Sequence, residues 1–215
     1  MNQHALVIGG TGASGKEIVR LLINNPNFSK ITLFVRRKIQ INNNKISVHL
    51  INFDNLKKYK KLIFGDILYS CLGTTRSEAG SKQKQYLVDY TYQYEFAKLA
   101  AKNDVKIYSL ISSIGANKNS FFFYPKIKGI LEEKVKKLNF QKIQIFQPPS
   151  LIRQPELARK GEKYTIQFIK LINKFRLLKS LKPLCVKDLA SKMIEESLKN
   201  KDSRIDIYKS IDIIL

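Results

Sequence analysis

The chain has 215 residues, 44% of them hydrophobic, with 39 Lys and Arg against 17 Asp and Glu for a formal net charge of +22. That composition supports one good core; no apolar stretch approaches the ~20 residues that cross a bilayer, and two cysteines with two histidines argue against a disulfide framework or a protein metal site. The basic excess is spread along the whole chain, so a lysine-rich solvated surface explains it better than nucleic-acid binding, although the field would draw in anionic ligands.

A strand, a glycine turn and a helix open the chain. Residues 4–8 form an unbroken apolar run that reads as a buried strand, and from Lys16 apolar residues recur at helical spacing. Between them, Gly9, Gly12 and Gly15 permit a tight turn, a close approach to a pyrophosphate and a helix pressed onto its strand. Thr11, Ala13 and Ser14 fill the turn, where first-turn N–H groups and the helix dipole face an anion. A second apolar strand at 31–35 lies where a ribose-reading residue belongs, which makes the turn a dinucleotide fingerprint. Residues 10–16 also spell G-x-x-x-x-G-K, but Glu17 stands where a phosphate-loop NTPase needs Ser or Thr to hold magnesium, so that reading falls.

The turn cluster at 24–27 ends the first helix. The second strand runs into Arg36-Arg37-Lys38. A carboxylate there would bind the ribose hydroxyls of NAD, whereas arginine suits a 2′-phosphate, so Arg36 and Arg37 favour NADP over NAD. A third strand at 46–51 precedes Asp54, for which two compatible roles are open: capping the next helix and hydrogen-bonding an adenine amino group. The fourth strand, 66–72, breaks at Leu72-Gly73-Thr74, where Gly73 lets the backbone pass close to the ribose and nicotinamide of a cofactor. A long helix is expected from about 81 to 103, with Tyr86, Tyr90, Tyr92, Tyr94 and Phe96 serving as core or as a helix-pairing surface.

The fifth strand, 105–111, ends at Ser112-Ser113, on the edge where open parallel sheets bind ligands. Tyr124 follows eleven residues after Ser113, and Lys128 four later, one turn apart on the same face of a helix running to about 138. A sixth strand at 143–146 leads into a proline-rich turn. Residues 153–182 are expected to form a small substrate-side lobe within a single domain, 1–215. A short strand at 184–186, an amphipathic helix at 187–199 and an edge strand at 204–208 complete the chain. Strands and helices alternate throughout, which predicts an α/β, doubly wound parallel sheet with helices on both faces.

Tyr, Lys and Ser so arranged form a proton-transfer device. Lowering a phenol from its pKa near ~10 to neutrality requires about 4 kcal/mol. An ammonium about 4 Å away at an effective dielectric of 20 supplies about that much. Ser113 would then hold a substrate oxygen and Tyr124 would exchange its proton, while a nicotinamide exchanges the hydride.

The Gly-x-x-Gly-x-x-Gly turn, the strand-end serine and Tyr124-Pro125-Lys126-Ile127-Lys128 resemble the short-chain dehydrogenase/reductase superfamily in its extended or atypical branch. More closely, the blocks Cys71-Leu72-Gly73-Thr74-Thr75-Arg76, Ser112-Ser113-Ile114-Gly115-Ala116-Asn117 and Tyr124-x-x-x-Lys128-Gly129 look like the Tat-interactive oxidoreductase family and its bacterial relatives. The resemblance implies a Rossmann-like domain that binds NADP(H), with Ser113, Tyr124 and Lys128 in the catalytic positions and the turn from Pro148 to Leu151, Ser150 included, as candidate cofactor contacts beside the nicotinamide. One departure is Asp89, which stands where many members of the superfamily carry an Asn that completes a proton relay. Two functions follow: an NADP-dependent oxidoreductase acting on a small carbonyl or alcohol, or a non-catalytic NADP(H)-binding regulator of a macromolecular partner. A monomer or homodimer, without metal or membrane partner and located in the cytoplasm, is expected in either case.

Overall fold

A computed structural model of the chain describes residues 2–157 and 183–214. Among them the strands are β1 (Gln3–Ile8), β2 (Phe28–Val35), β3 (Ile46–Leu50), β4 (Ile67–Ser70), β5 (Ile107–Ile111), β6 (Lys142–Gln147), β7 (Leu151–Ile152), β8 (Leu184–Cys185) and β9 (Ile205–Lys209). Seven of these make one sheet in the order β3-β2-β1-β4-β5-β6-β9, with every neighbouring pair parallel. The helices are α1 (Ala13–Asn24), α2 (Arg76–Ala79), α3 (Lys82–Tyr86), α4 (Tyr92–Lys102), α5 (Phe123–Val135), α6 (Val186–Ser197) and α7 (Ser210–Ile214), with a 3₁₀ helix at Phe53–Leu62.

The unbroken apolar run of β1 is explained by helices on both faces. Leu6 and Ile8 join a core with Phe96, Ala97 and Leu131 of α4 and α5, while Ala5 and Val7 join a second core with Ile18, Leu22 and Met193 of α1 and α6. A strand buried on both sides cannot alternate with polar residues. The architecture is therefore Rossmann-like and doubly wound, as expected. The strand order reverses between β1 and β4, and ligands of such sheets bind at the carboxyl ends of the strands at that switch.

The helix expected across 81–103 is not uniform. A π turn at Leu87–Thr91 separates α3 from α4, with the Tyr92 N–H reaching back to the Leu87 carbonyl. The wide turn brings Asp89 fully into the interior, and Gln93 Nε2 caps the Asp89 carbonyl at 2.9 Å. On this run Phe96 is core against Phe34, ring centroids 4.9 Å apart, whereas Tyr90 and Tyr94 stack at 5.8 Å on a half-exposed face. Most of the expected substrate-side lobe at 153–182 lies outside the described residues.

Candidate active site

The turn between β1 and α1 is built by two close approaches. Gly9 has φ +78°, and a side chain there would strike the Cys71–Leu72 peptide at the end of β4, 2.5 Å away. A Cβ on Gly15 would lie 2.1 Å from the Gly9 carbonyl oxygen. These contacts bring β1, α1 and β4 together at the switch point. Gly12 is the N-cap of α1 and provides no side-chain cap, and the first turn holds no acidic residue. The helix's leading N–H groups are thus left for an anion, in a cradle that side chains would fill, and the residues present fit a dinucleotide pyrophosphate.

A cleft of about 1400 Å³ extends from this turn along the sheet's carboxyl edge. Gly12, Ala13 and Ser14 line one end; Leu72, Gly73 and Thr74 follow β4; Ser113 follows β5; Tyr124 and Lys128 come from α5; and Pro148 and Ser150 follow β6. Arg76, Gln85, Phe123 and Arg153 also line it; nothing in their sequence spacing marked them. Gly9 and Gly15 shape the turn from behind. Thr11, Arg36 and Arg37 are exposed and outside the wall of this cleft, the two arginines directly after the end of β2.

Asp54 does not cap the helix that follows it. Asn52 is the N-cap of the 3₁₀ helix, its side chain accepting the Asp54 N–H at 2.9 Å, because the chain turns two residues earlier than its spacing suggested. The Asp54 carboxylate accepts the Tyr92 hydroxyl at 2.5 Å and lines a separate groove of about 640 Å³ between the 3₁₀ helix and α4. Burial and this carboxylate push the Tyr92 phenol up to about 12, while Arg36 works in the opposite sense.

Tyr124 lies in the first turn of α5 and is 37% exposed, open to a ligand in the cleft. Lys128, one turn on, is 1% exposed and donates from Nζ to the Ile111 carbonyl at 2.9 Å. Burial lowers its pKa from the ordinary lysine value, opposed by Asp89, Glu132 and the Cys71 thiol. Asp89 Oδ1 accepts the Thr74 N–H at 3.3 Å. Glu132 accepts the Ser112 hydroxyl and the Gln147 amide, the latter at 3.0 and 3.1 Å. Two buried carboxylates therefore act on this buried lysine, opposing the loss of charge that burial favours. Burial pushes the Cys71 thiol up to about 12, so it stays protonated and unreactive in this wall. The Ser113 hydroxyl donates to the Ile114 carbonyl at 3.2 Å, leaving its lone pairs for a donor. Among the described residues no three His, Cys, Asp or Glu side chains converge as metal ligands, and no helix is long and apolar enough to cross a membrane.

Residues 9–142 match the NAD(P)H-binding family. Protein HTATIP2 of Rattus norvegicus is 34% identical over 165 residues, covering 75% of this chain and 68% of that protein. Protein fmp52, mitochondrial, of Emericella nidulans is 37% identical over 163 residues, 73% of this chain and 70% of that protein. The Bordetella bronchiseptica enzyme WbmH, solved in complex with NAD+, superposes with a TM-score of 0.73 at 11% identity over 97% of this chain and 75% of that one, a likeness of fold alone. The cytoplasmic location expected from the sequence is overturned by these relatives, because the FMP52 proteins of several fungi carry mitochondrial in their names. With its seven-stranded parallel sheet and a family match running from the glycine turn to β6, the chain belongs to the NAD(P)H-binding family and groups there with the HTATIP2 and FMP52 proteins.

Proposed function

We propose that the protein is an NADP(H)-dependent oxidoreductase that interconverts a small carbonyl compound and its alcohol, with Tyr124 as proton donor and acceptor. The observation that carries this reading is the shared cleft: Tyr124, Lys128 and Ser113 line the same space as the uncapped start of α1. The cofactor supplies hydride exchange; everything else falls to this chain. Ser113 orients the substrate oxygen. Tyr124 transfers a proton to or from that oxygen, and the Lys128 ammonium lowers the cost of its phenolate. Asp89 and Glu132 favour the charged form of Lys128 against the effect of its burial. Arg36 and Arg37, exposed just past β2, favour the 2′-phosphate of NADP over the bare ribose of NAD.

The test is Tyr124→Phe, assayed with NADPH against a panel of small aldehydes and ketones beside a direct measurement of NADPH affinity. Loss of roughly a hundred- to ten-thousandfold in turnover with unchanged affinity supports the reading. Equal turnover in the variant removes Tyr124 from the chemistry. A wild type that binds the cofactor and turns over no carbonyl or alcohol favours the regulatory alternative.

A further inference from the structure

The chain that leaves β6 returns to the start of α1. Gln154 donates from Nε2 to the Ala13 carbonyl at 3.1 Å and to Glu17 Oε1 at 2.8 Å, contacts that span 141 and 137 positions of sequence. They seat the segment after β7 on the first turn of the helix. Its neighbour Arg153 lines the same cleft as Gly12, Ala13 and Ser14, and its Nε is buried.

The charges around this point are arranged for an anion. Glu17 is the carboxylate of α1 closest to the turn, and its charge is already engaged: burial acts to raise its pKa, but Gln154 and Arg20 outweigh that and lower it. Arg20 Nη2 stands 2.8 Å from Glu17 Oε2. Among the residues that line the cleft the acidic one, Glu78, is folded into the capping box of α2 with Thr75. Arg76 stacks on Phe123, 5.3 Å from the ring centroid, beside Tyr124. Arg153 lines the cleft with Gly12, Ala13 and Ser14, next in sequence to the residue that bonds the first turn of α1.

We propose that Arg153 is an anchor for the cofactor's pyrophosphate, acting opposite the α1 N–H groups and positioned by Gln154. A guanidinium fork matches phosphate oxygens bidentately, and charge-assisted bonds of this kind are the strong ones. The assignment rests on the cleft as an NAD(P) site and is independent of the hydride chemistry. Because both dinucleotides contain the pyrophosphate, Arg153 sets affinity without setting the choice between them, and Gln154 acts through Arg153 as a positioning residue.

Calorimetric titration of the wild type, Arg153→Ala, Arg153→Lys and Gln154→Ala with NADPH, NADH and adenosine 2′-monophosphate tests the assignment. Arg153→Ala is expected to weaken both dinucleotides by the same factor, roughly ten- to a hundredfold, and to leave adenosine 2′-monophosphate, which lacks the pyrophosphate, unchanged. Arg153→Lys should fall between. Gln154→Ala should weaken the dinucleotides alone and add nothing in the Arg153→Ala background, which a merely structural role would not produce. Unchanged dinucleotide affinity in Arg153→Ala overturns the proposal, as does a loss confined to NADPH or shared by adenosine 2′-monophosphate. A wild type that binds no dinucleotide overturns the cofactor reading itself, whereas wild-type binding without an Arg153 effect overturns only this assignment.

Discussion

Lys128 donates from its buried Nζ to the carbonyl of Ile111, 2.9 Å away, so the ammonium is held against the carboxyl end of β5 rather than in solvent. Its protonation then depends on the carboxylates that share the interior, Asp89 from the π turn and Glu132 one helical turn further along α5, with the Cys71 thiol acting on it from just past the end of β4.

Asp89→Asn should therefore lower the pKa of Lys128 further, because it removes a charge that favours the ammonium while keeping an oxygen for the Thr74 N–H. The sign follows for stability. A lysine whose folded pKa lies below 10.5 leaves the unfolded chain binding more protons between the two values, so stability rises with pH across that interval. The variant should extend this rise to lower pH. Urea midpoints measured from pH 7 to 10 check it, and a slope identical to the wild type's would show that Asp89 does not act on Lys128.

The glycine turn separates fold from cofactor. A methyl at Gly15 collides with the Gly9 carbonyl, so Gly15→Ala should cost more than about 3 kcal/mol and give little folded protein. A Cβ on Gly12 meets that same oxygen at 3.4 Å, an ordinary contact. Gly12→Ala should keep the unliganded protein within about 1 kcal/mol of wild type while reducing dinucleotide affinity at least about tenfold. Thermal unfolding paired with NADPH titration distinguishes the two variants.

Arg36→Ala should weaken NADPH by roughly ten- to a hundredfold and leave NADH within about twofold, since a single charge-assisted pair to the 2′-phosphate is removed. Competitive titration with both nucleotides measures the ratio, and an unchanged ratio would remove Arg36 from cofactor selection.

Far from the cleft, Glu196 ties the end of α6 to the edge strand β9. Its carboxylate lies 3.1, 3.0 and 2.7 Å from Lys192, Lys199 and Lys201 and accepts the Tyr208 hydroxyl at 2.9 Å. Burial acts to raise its pKa, but these partners bring it down from 4.5 to about 2. Stability from this group is complete above the unfolded value of 4.5 and is lost as pH falls from there towards 2. Glu196→Gln should cost about 2 kcal/mol at neutral pH, allowing for screening of the lysines, and flatten the acid limb of the stability curve. Denaturation midpoints between pH 2 and 7 test this.

The sheet was legible because a chain covered on both faces announces itself: residues 4–8 and 31–35 are apolar without alternation, and the glycines between strand and helix have a steric purpose that residue type alone reveals. Ser113, Tyr124 and Lys128 were legible through spacing of four on a helix and position after a strand. What escaped was geometry that spacing does not encode. The π turn that buries Asp89 changes the helical register without changing the apolar pattern. Asn52 takes the cap from Asp54 through a two-residue difference in where the chain turns. Arg153 and Gln154 reach Ala13 and Glu17 only through the return of the chain after β6, a contact with no local signature.

Transfer of a label from cofactor to product tests the central claim most directly. NADPH deuterated at the reactive nicotinamide carbon is incubated with a panel of small carbonyl compounds, and the alcohols are examined by mass spectrometry, for the wild type and for Tyr124→Phe. The account predicts deuterium in at least one alcohol with the wild type and a rate roughly a hundredfold or more lower in the variant at equal NADPH affinity. Deuterium transfer at the same rate in both proteins, or none with a wild type that binds NADPH, would contradict it.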